Sequence, residues 1–116
     1  EPKVFEVLRS EIQYIETIPE AIKRLGTEAG LSEGDIKALD QIALCESRYI
    51  ATARNPNSTA SGVFQFIAST WEAYGEGDVF DPEQNIKAAI RLYKNQGVKP
   101  WSCKPFWTYN YDRFIF

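Results

Sequence analysis

Apolar positions recur at three- and four-residue intervals through most of the 116-residue chain, the spacing that lines one face of a helix. The clearest run, Ile36, Leu39, Ile42, Ala43 and Cys45, follows Ser32-Glu33-Gly34-Asp35. Such a start lets a serine and an acidic side chain satisfy each other's backbone donors. The pattern predicts a helix over about 33–47, with Glu46 in its last turn. A second start, Asp81-Pro82-Glu83-Gln84, combines an N-cap, a proline at N1 and a glutamine at N3, and Ile86, Ala89, Ile90 and Tyr93 carry that helix to Gly97. Residues 19–29 form a shorter helix with Ala21, Ile22 and Leu25 inward, closed by Gly30. Ser69-Thr70-Trp71-Glu72 reads as another capping box, opening a short helix that ends at Gly75-Glu76-Gly77.

The two ends of the chain carry a different pattern. Val4, Val7, Leu8, Ile12 and Ile15 suit a helix, but 12–18 is rich in β-branched residues, so the first sixteen residues read as helix or strand, with helix favoured. Residues 107–112 alternate aromatic and polar side chains, a strand pattern. The longest loop runs from 49 to 61, and unstructured loops of that length are usually functional. The expected fold is therefore mainly α, α+β at most: a helical domain with a short β element contributed by the termini.

Composition narrows the chemistry. The length suits one domain, and 44% hydrophobic with 25% charged residues is ordinary for a soluble globular protein. No apolar run approaches the length that spans a bilayer. A net charge of −3 without a Lys/Arg cluster argues against nucleic acid as a partner. No signal or transit segment stands at Glu1, which suits either a cytoplasmic chain or a mature or truncated exported one. With no histidine, Ser-His-Asp and Cys-His catalysis are excluded, and two cysteines are too few for a zinc site. No metal or cofactor is expected. An enzyme here must work with carboxylates, lysine, tyrosine or a thiolate. If Cys45 and Cys103 pair, they close a loop of about 58 residues, a crosslink worth roughly 4 kcal/mol that belongs in an oxidising compartment.

Within the run CESRYIATARNPNSTASGVFQF, residues 45–66, two polar residues invite a use. Glu46 at a helix C-terminus faces the negative end of the helix dipole, and an apolar setting would add desolvation; both raise a carboxyl pKa and suit a general acid. Taken alone, it reads first as an exposed glutamate ending a helix. Gln65 lies in an apolar segment, where an amide needs a partner; a structural bond within the loop and a ligand contact both supply one. Asn55 and Asn57 flank Pro56 as turn formers, and Asn85 reads as a polar residue early in its helix.

Together these segments resemble a known family. "CES" at a helix end, "ASGVFQF" some fifteen residues on, "STW", "NIKAAIRLY" and a late "PWSC" are similar, in that order, to the lysozyme-like domain of soluble lytic transglycosylases. The cysteine beside the glutamate and the late "WSC" resemble the resuscitation-promoting-factor branch most. The likeness covers roughly residues 33–104. It implies that Glu46 is the sole catalytic acid and base, that Ser47 is the serine following it, and that Gln65 faces the substrate groove. It further implies groove positions for Thr70 and Trp71, the latter equally suited to packing, and a substrate-side place for Asn85. Tyr93 would help to position the glutamate, and Cys45 and Cys103 would form a disulfide.

The resemblance divides the chain into an N-terminal segment packing on the domain (1–32), the lysozyme-like domain (33–104) and an aromatic tail (105–116). It implies a monomeric, extracytoplasmic enzyme of the cell envelope or a secreted one, acting on peptidoglycan glycan strands. The reaction expected is cleavage of the MurNAc-GlcNAc β-1,4 bond with formation of a 1,6-anhydro ring. Two alternatives stand beside it. One is a muramidase that hydrolyses the same bond with help from Asp78, another acid or a positioned water; the other is a non-catalytic binding module using Trp107, Tyr109, Tyr111, Phe114 and Phe116 as a platform.

Overall fold

The computed structural model describes residues 16–103. Four helices follow in order: α1 (Ile18–Glu28), α2 (Glu33–Ser47), α3 (Ala68–Tyr74) and α4 (Pro82–Gln96). Among the described residues β structure is limited to isolated bridges, Arg54 with Ser61 and Ser61 with Phe66, so the architecture is mainly α, as the periodicity demands. The β element expected from the termini lies outside the described residues. No described helix is long and apolar enough to cross a membrane.

Local chemistry explains where the helices start. Thr17 and Glu20 make a reciprocal capping box at α1, and Ser32 and Asp35 make one at α2. Asp81 caps α4 by accepting from the Glu83 N–H, with Pro82 in the first turn. The exception is α3. Its N-cap is Ile67, which offers no side-chain acceptor, and the box expected at Ser69 does not form. The free Ala68 N–H instead donates to the Thr59 hydroxyl at 2.9 Å, from nine residues back in the loop.

The helices pack around one apolar core. α1 lies against both α2 and α4, and α3 against α4. Ile22, Leu39, Ile42, Val63, Phe64 and Ile86 are fully enclosed there, each worth roughly 1.5–3 kcal/mol relative to exposure. Leu39 and Ile42 come from α2, while Val63 and Phe64 come from the loop after it, so this loop is anchored in the core rather than draped over it. Polar links fasten the rim. Tyr93 donates to Asp35 Oδ1 at 2.6 Å, joining the end of α4 to the start of α2, and Lys94 Nζ donates to the Ala29 carbonyl at the end of α1. Arg24 joins Glu16 to Glu83.

Candidate active site

α2 presents its buried face at Leu39 and Ile42, and one further step of four along the same stripe reaches Glu46. The carboxyl therefore sits where the core gives way to solvent, half-buried. Burial raises its pKa above the ordinary 4.5, while a hydrogen bond from the Cys103 backbone N–H pulls the other way. That donor is held close by the Cys45–Cys103 disulfide, whose Cα atoms stand 5.8 Å apart. A carboxyl whose pKa is raised holds its proton to higher pH and can give it, and a backbone N–H can then steady the carboxylate that remains.

The loop 60–66 is joined to this end of α2 through the 101–103 segment, since Trp101 bonds Phe64 and Cys103 is crosslinked to Cys45. Gly62 adopts φ +83, and a Cβ there would collide with Asn85 and the Val79 carbonyl. Asn85 is the reason the loop holds its shape. Its Oδ1 accepts from the Phe64 N–H at 2.8 Å, and its Nδ2 donates to the Val79 carbonyl at 2.8 Å and the Ser61 carbonyl at 3.5 Å. The side chain is wholly enclosed. Asn85 therefore supports the loop from behind instead of meeting a substrate, a correction to the sequence expectation. Its position gave a signal: it lies three and four residues before Ala88 and Ala89, on the buried stripe of α4.

Gln65 makes the structural bond that one of its sequence readings expected. Its Nε2 donates to the Ala53 and Gly62 carbonyls at 3.1 and 2.9 Å, which closes the turn. Its backbone is left-handed at φ +53, a conformation that costs a non-glycine residue roughly 1–2 kcal/mol. Among the described residues no hydrogen bond engages its Oε1, which can accept. Gln65 and Thr70 share a shallow depression of about 120 Å³, walled by Phe64, Phe66, Ile67, Leu92, Pro100 and Trp101. Trp101 Nε1 donates to the Phe64 carbonyl at 3.2 Å, and two residues later comes Cys103, the donor to Glu46. Glu46 itself does not line the depression; the 101–103 segment connects the two.

Other expected positions fall elsewhere. Ser47 is buried, and its hydroxyl donates back to the Ala43 carbonyl, which removes it from the substrate side. Tyr93 meets Asp35 in the first turn of α2, eleven residues and so roughly 16 Å along the helix from Glu46. It steadies that helix at the opposite end and does not touch the glutamate. Trp71 packs edge-on against Phe66, ring centroids 5.3 Å apart, the packing role rather than the groove wall. Neither the Cys103 N–H at Glu46 nor the bonds of Asn85 have a sequence signature of their own, because both involve backbone groups brought in from far along the chain.

Comparison with known proteins bears on this geometry. The chain is 39% identical over 70 residues to a protein of Staphylococcus haemolyticus named "Probable transglycosylase SceD", covering 54% of this chain and 30% of that one. It is 39% identical over 77 residues to "Probable transglycosylase SceD 2" of Staphylococcus saprophyticus, with 60% and 31% covered. To the "Probable transglycosylase SceD" of Staphylococcus aureus it is 37% identical over 86 residues, with 65% and 37% covered. The chain thus spans about a third of the length of these curated relatives. No solved structure matches it. Residues 34–104, well over half of the chain and the whole of the site just described, match the family model of a transglycosylase-like domain, and the chain belongs to that family.

Proposed function

We propose that the chain is a peptidoglycan lytic transglycosylase that cleaves the MurNAc-GlcNAc β-1,4 bond with Glu46 as its one catalytic carboxyl. The observation that carries this reading is Glu46 itself: half-buried at the end of α2, its pKa raised by burial, with the Cys103 backbone N–H as the opposing donor. Protonated Glu46 gives its proton to the glycosidic oxygen as the C1–O bond breaks. The resulting carboxylate takes the proton of the muramic 6-hydroxyl, whose oxygen bonds to C1 and closes the 1,6-anhydro ring. The proton balance closes on one residue, and no water enters the products. Gln65 Oε1 and Thr70 offer an acceptor and a hydroxyl to the sugar beside the depression. Ser47, Asn85 and Tyr93 serve as supports, for the geometric reasons given above.

The fate of the other acids favours one carboxyl over two. Asp78 accepts from the Phe80 N–H, Asp81 caps α4 and Glu76 lies 3.7 Å from Arg91, so each has a partner of its own. The disulfide fits work outside the cytoplasm, in the envelope or after secretion. Mass spectrometry of muropeptides released from purified cell wall tests the reaction type. Anhydro-muramic ends are expected; hydrated ends alone would replace the lyase with a muramidase, and binding without release would leave a binding module.

A further inference from the structure

Directly after Glu46 and Ser47 the backbone does something costly. Arg48 and Tyr49 are both left-handed, at φ 54 and φ 65, a region that non-glycine residues seldom enter and rarely in succession. Strain of this kind persists where the surroundings enforce it. Here the chain turns sharply off α2 and returns along it, so that Tyr49 packs on the core. Its hydroxyl donates to Asp40 Oδ2 at 3.1 Å, almost two helical turns before the helix ends. Asp40 Oδ1 is buried, and Tyr49 is the one hydrogen-bond partner of this carboxylate among the described residues.

We infer that the Tyr49–Asp40 hydrogen bond is a latch that keeps the last turn of α2 closed and so positions Glu46 for proton transfer. Last turns of helices fray, because their carbonyls lack intrahelical partners, and a glutamate that must meet an oxygen within hydrogen-bond distance tolerates little fraying. The disulfide clamps this turn at Cys45. The latch ties Tyr49, two residues beyond the turn, back to Asp40, which at 3.6 residues per turn lies about 140° around the helix from Cys45. Two restraints on different faces fix the turn where one would leave it a hinge. The role of Tyr49 and Asp40 is positioning, since neither contacts the carboxyl. It rests on the reading of Glu46 as the proton donor, and the hydration of Glu46 can be followed without any turnover.

The test is a ¹³C titration of the Glu46 side chain, with its signal assigned by its absence in Glu46→Gln, alongside peptidoglycan turnover. The two resolved influences on Glu46 are burial and the Cys103 N–H, neither a charged neighbour, so the midpoint reports how well the turn shields it. Tyr49→Phe keeps the ring and removes the donor; it should move the midpoint down toward the ordinary 4.5 and lower kcat about tenfold at unchanged KM. Asp40→Asn retains an acceptor for the Tyr49 hydroxyl and should restore both readouts to near wild type, whereas Asp40→Ala should repeat Tyr49→Phe. In the double variant Tyr49→Phe/Asp40→Ala the effects should not add. A folded Tyr49→Phe with an unmoved midpoint and full kcat overturns the latch. Wild type without turnover overturns the proposed function instead, while the titration still decides the latch.

Discussion

Asn85 and Glu46 are both polar residues on the buried stripe of a helix, and what separates them is whether partners are supplied. Asn85 has every polar atom engaged by backbone groups. Asn85→Ala would orphan the Phe64 N–H and the Val79 carbonyl in the core, and a loss of about 2–4 kcal/mol is expected in denaturant unfolding. Glu46 has one backbone donor against its burial, so its proton is held more tightly in the folded chain than in the unfolded one. The sign follows: its contribution to stability is fully present below pH 4.5 and is lost as pH rises through the folded pKa. Glu46→Gln should therefore gain stability relative to wild type as pH rises across that window, seen as a growing difference in Tm. Under the proposed mechanism turnover needs the protonated acid, so it should persist above the ordinary carboxylate range and fall at the same midpoint. The sequence pointed to Glu46 through its place in an ordered set of motifs. The burial that distinguishes it from a surface glutamate could be inferred from its fourfold step beyond Ile42, but the Cys103 N–H could not.

At the scale of elements, the starts of α2 and α4 are announced by side-chain chemistry within three residues and were readable, whereas α1 was read from its apolar spacing and its Thr17–Glu20 box was not. α3 was readable in its extent and not in its cap. Ser69 and Glu72 have the right spacing for a box, yet Ala68 already belongs to the helix and takes its acceptor from Thr59. Spacing rules see neighbours in sequence; a cap supplied across a loop is invisible to them. Thr59→Ala should consequently cost about 1 kcal/mol, and hydrogen exchange should show its effect at Ala68 and along α3, whereas Ser69→Ala should leave those amides unchanged. The same distinction governs Tyr93. Its helical position was correctly read, but the partner it meets, Asp35, lies 58 residues away on the first turn of α2. The motif suggested a link between α4 and α2 and misjudged which end of α2 receives it.

On the scale of the molecule, three helices and a core-anchored loop converge so that one helix ends at solvent with its carboxyl half-covered. The covering segment, 101–103, is held twice: by Trp101, buried against Phe64 with ring centroids 5.9 Å apart, and by the disulfide to Cys45. Replacing both cysteines by alanine should remove roughly 4 kcal/mol of stability through the loop it closes. In protein still folded it should also reduce turnover, because the Cys103 donor is no longer held against Glu46; the two losses separate when denaturation and kinetics are measured at the same temperature. The ion pairs of Arg24 with Glu16 and Glu83 are partly exposed and add little by comparison. The central claim is that Glu46 alone drives bond cleavage, and it is tested most directly by digesting purified cell wall with wild type and with Glu46→Gln and weighing the released muropeptides. A single-carboxyl mechanism predicts anhydro-ended fragments from wild type and none above background from Glu46→Gln; equal release by the two proteins would contradict it.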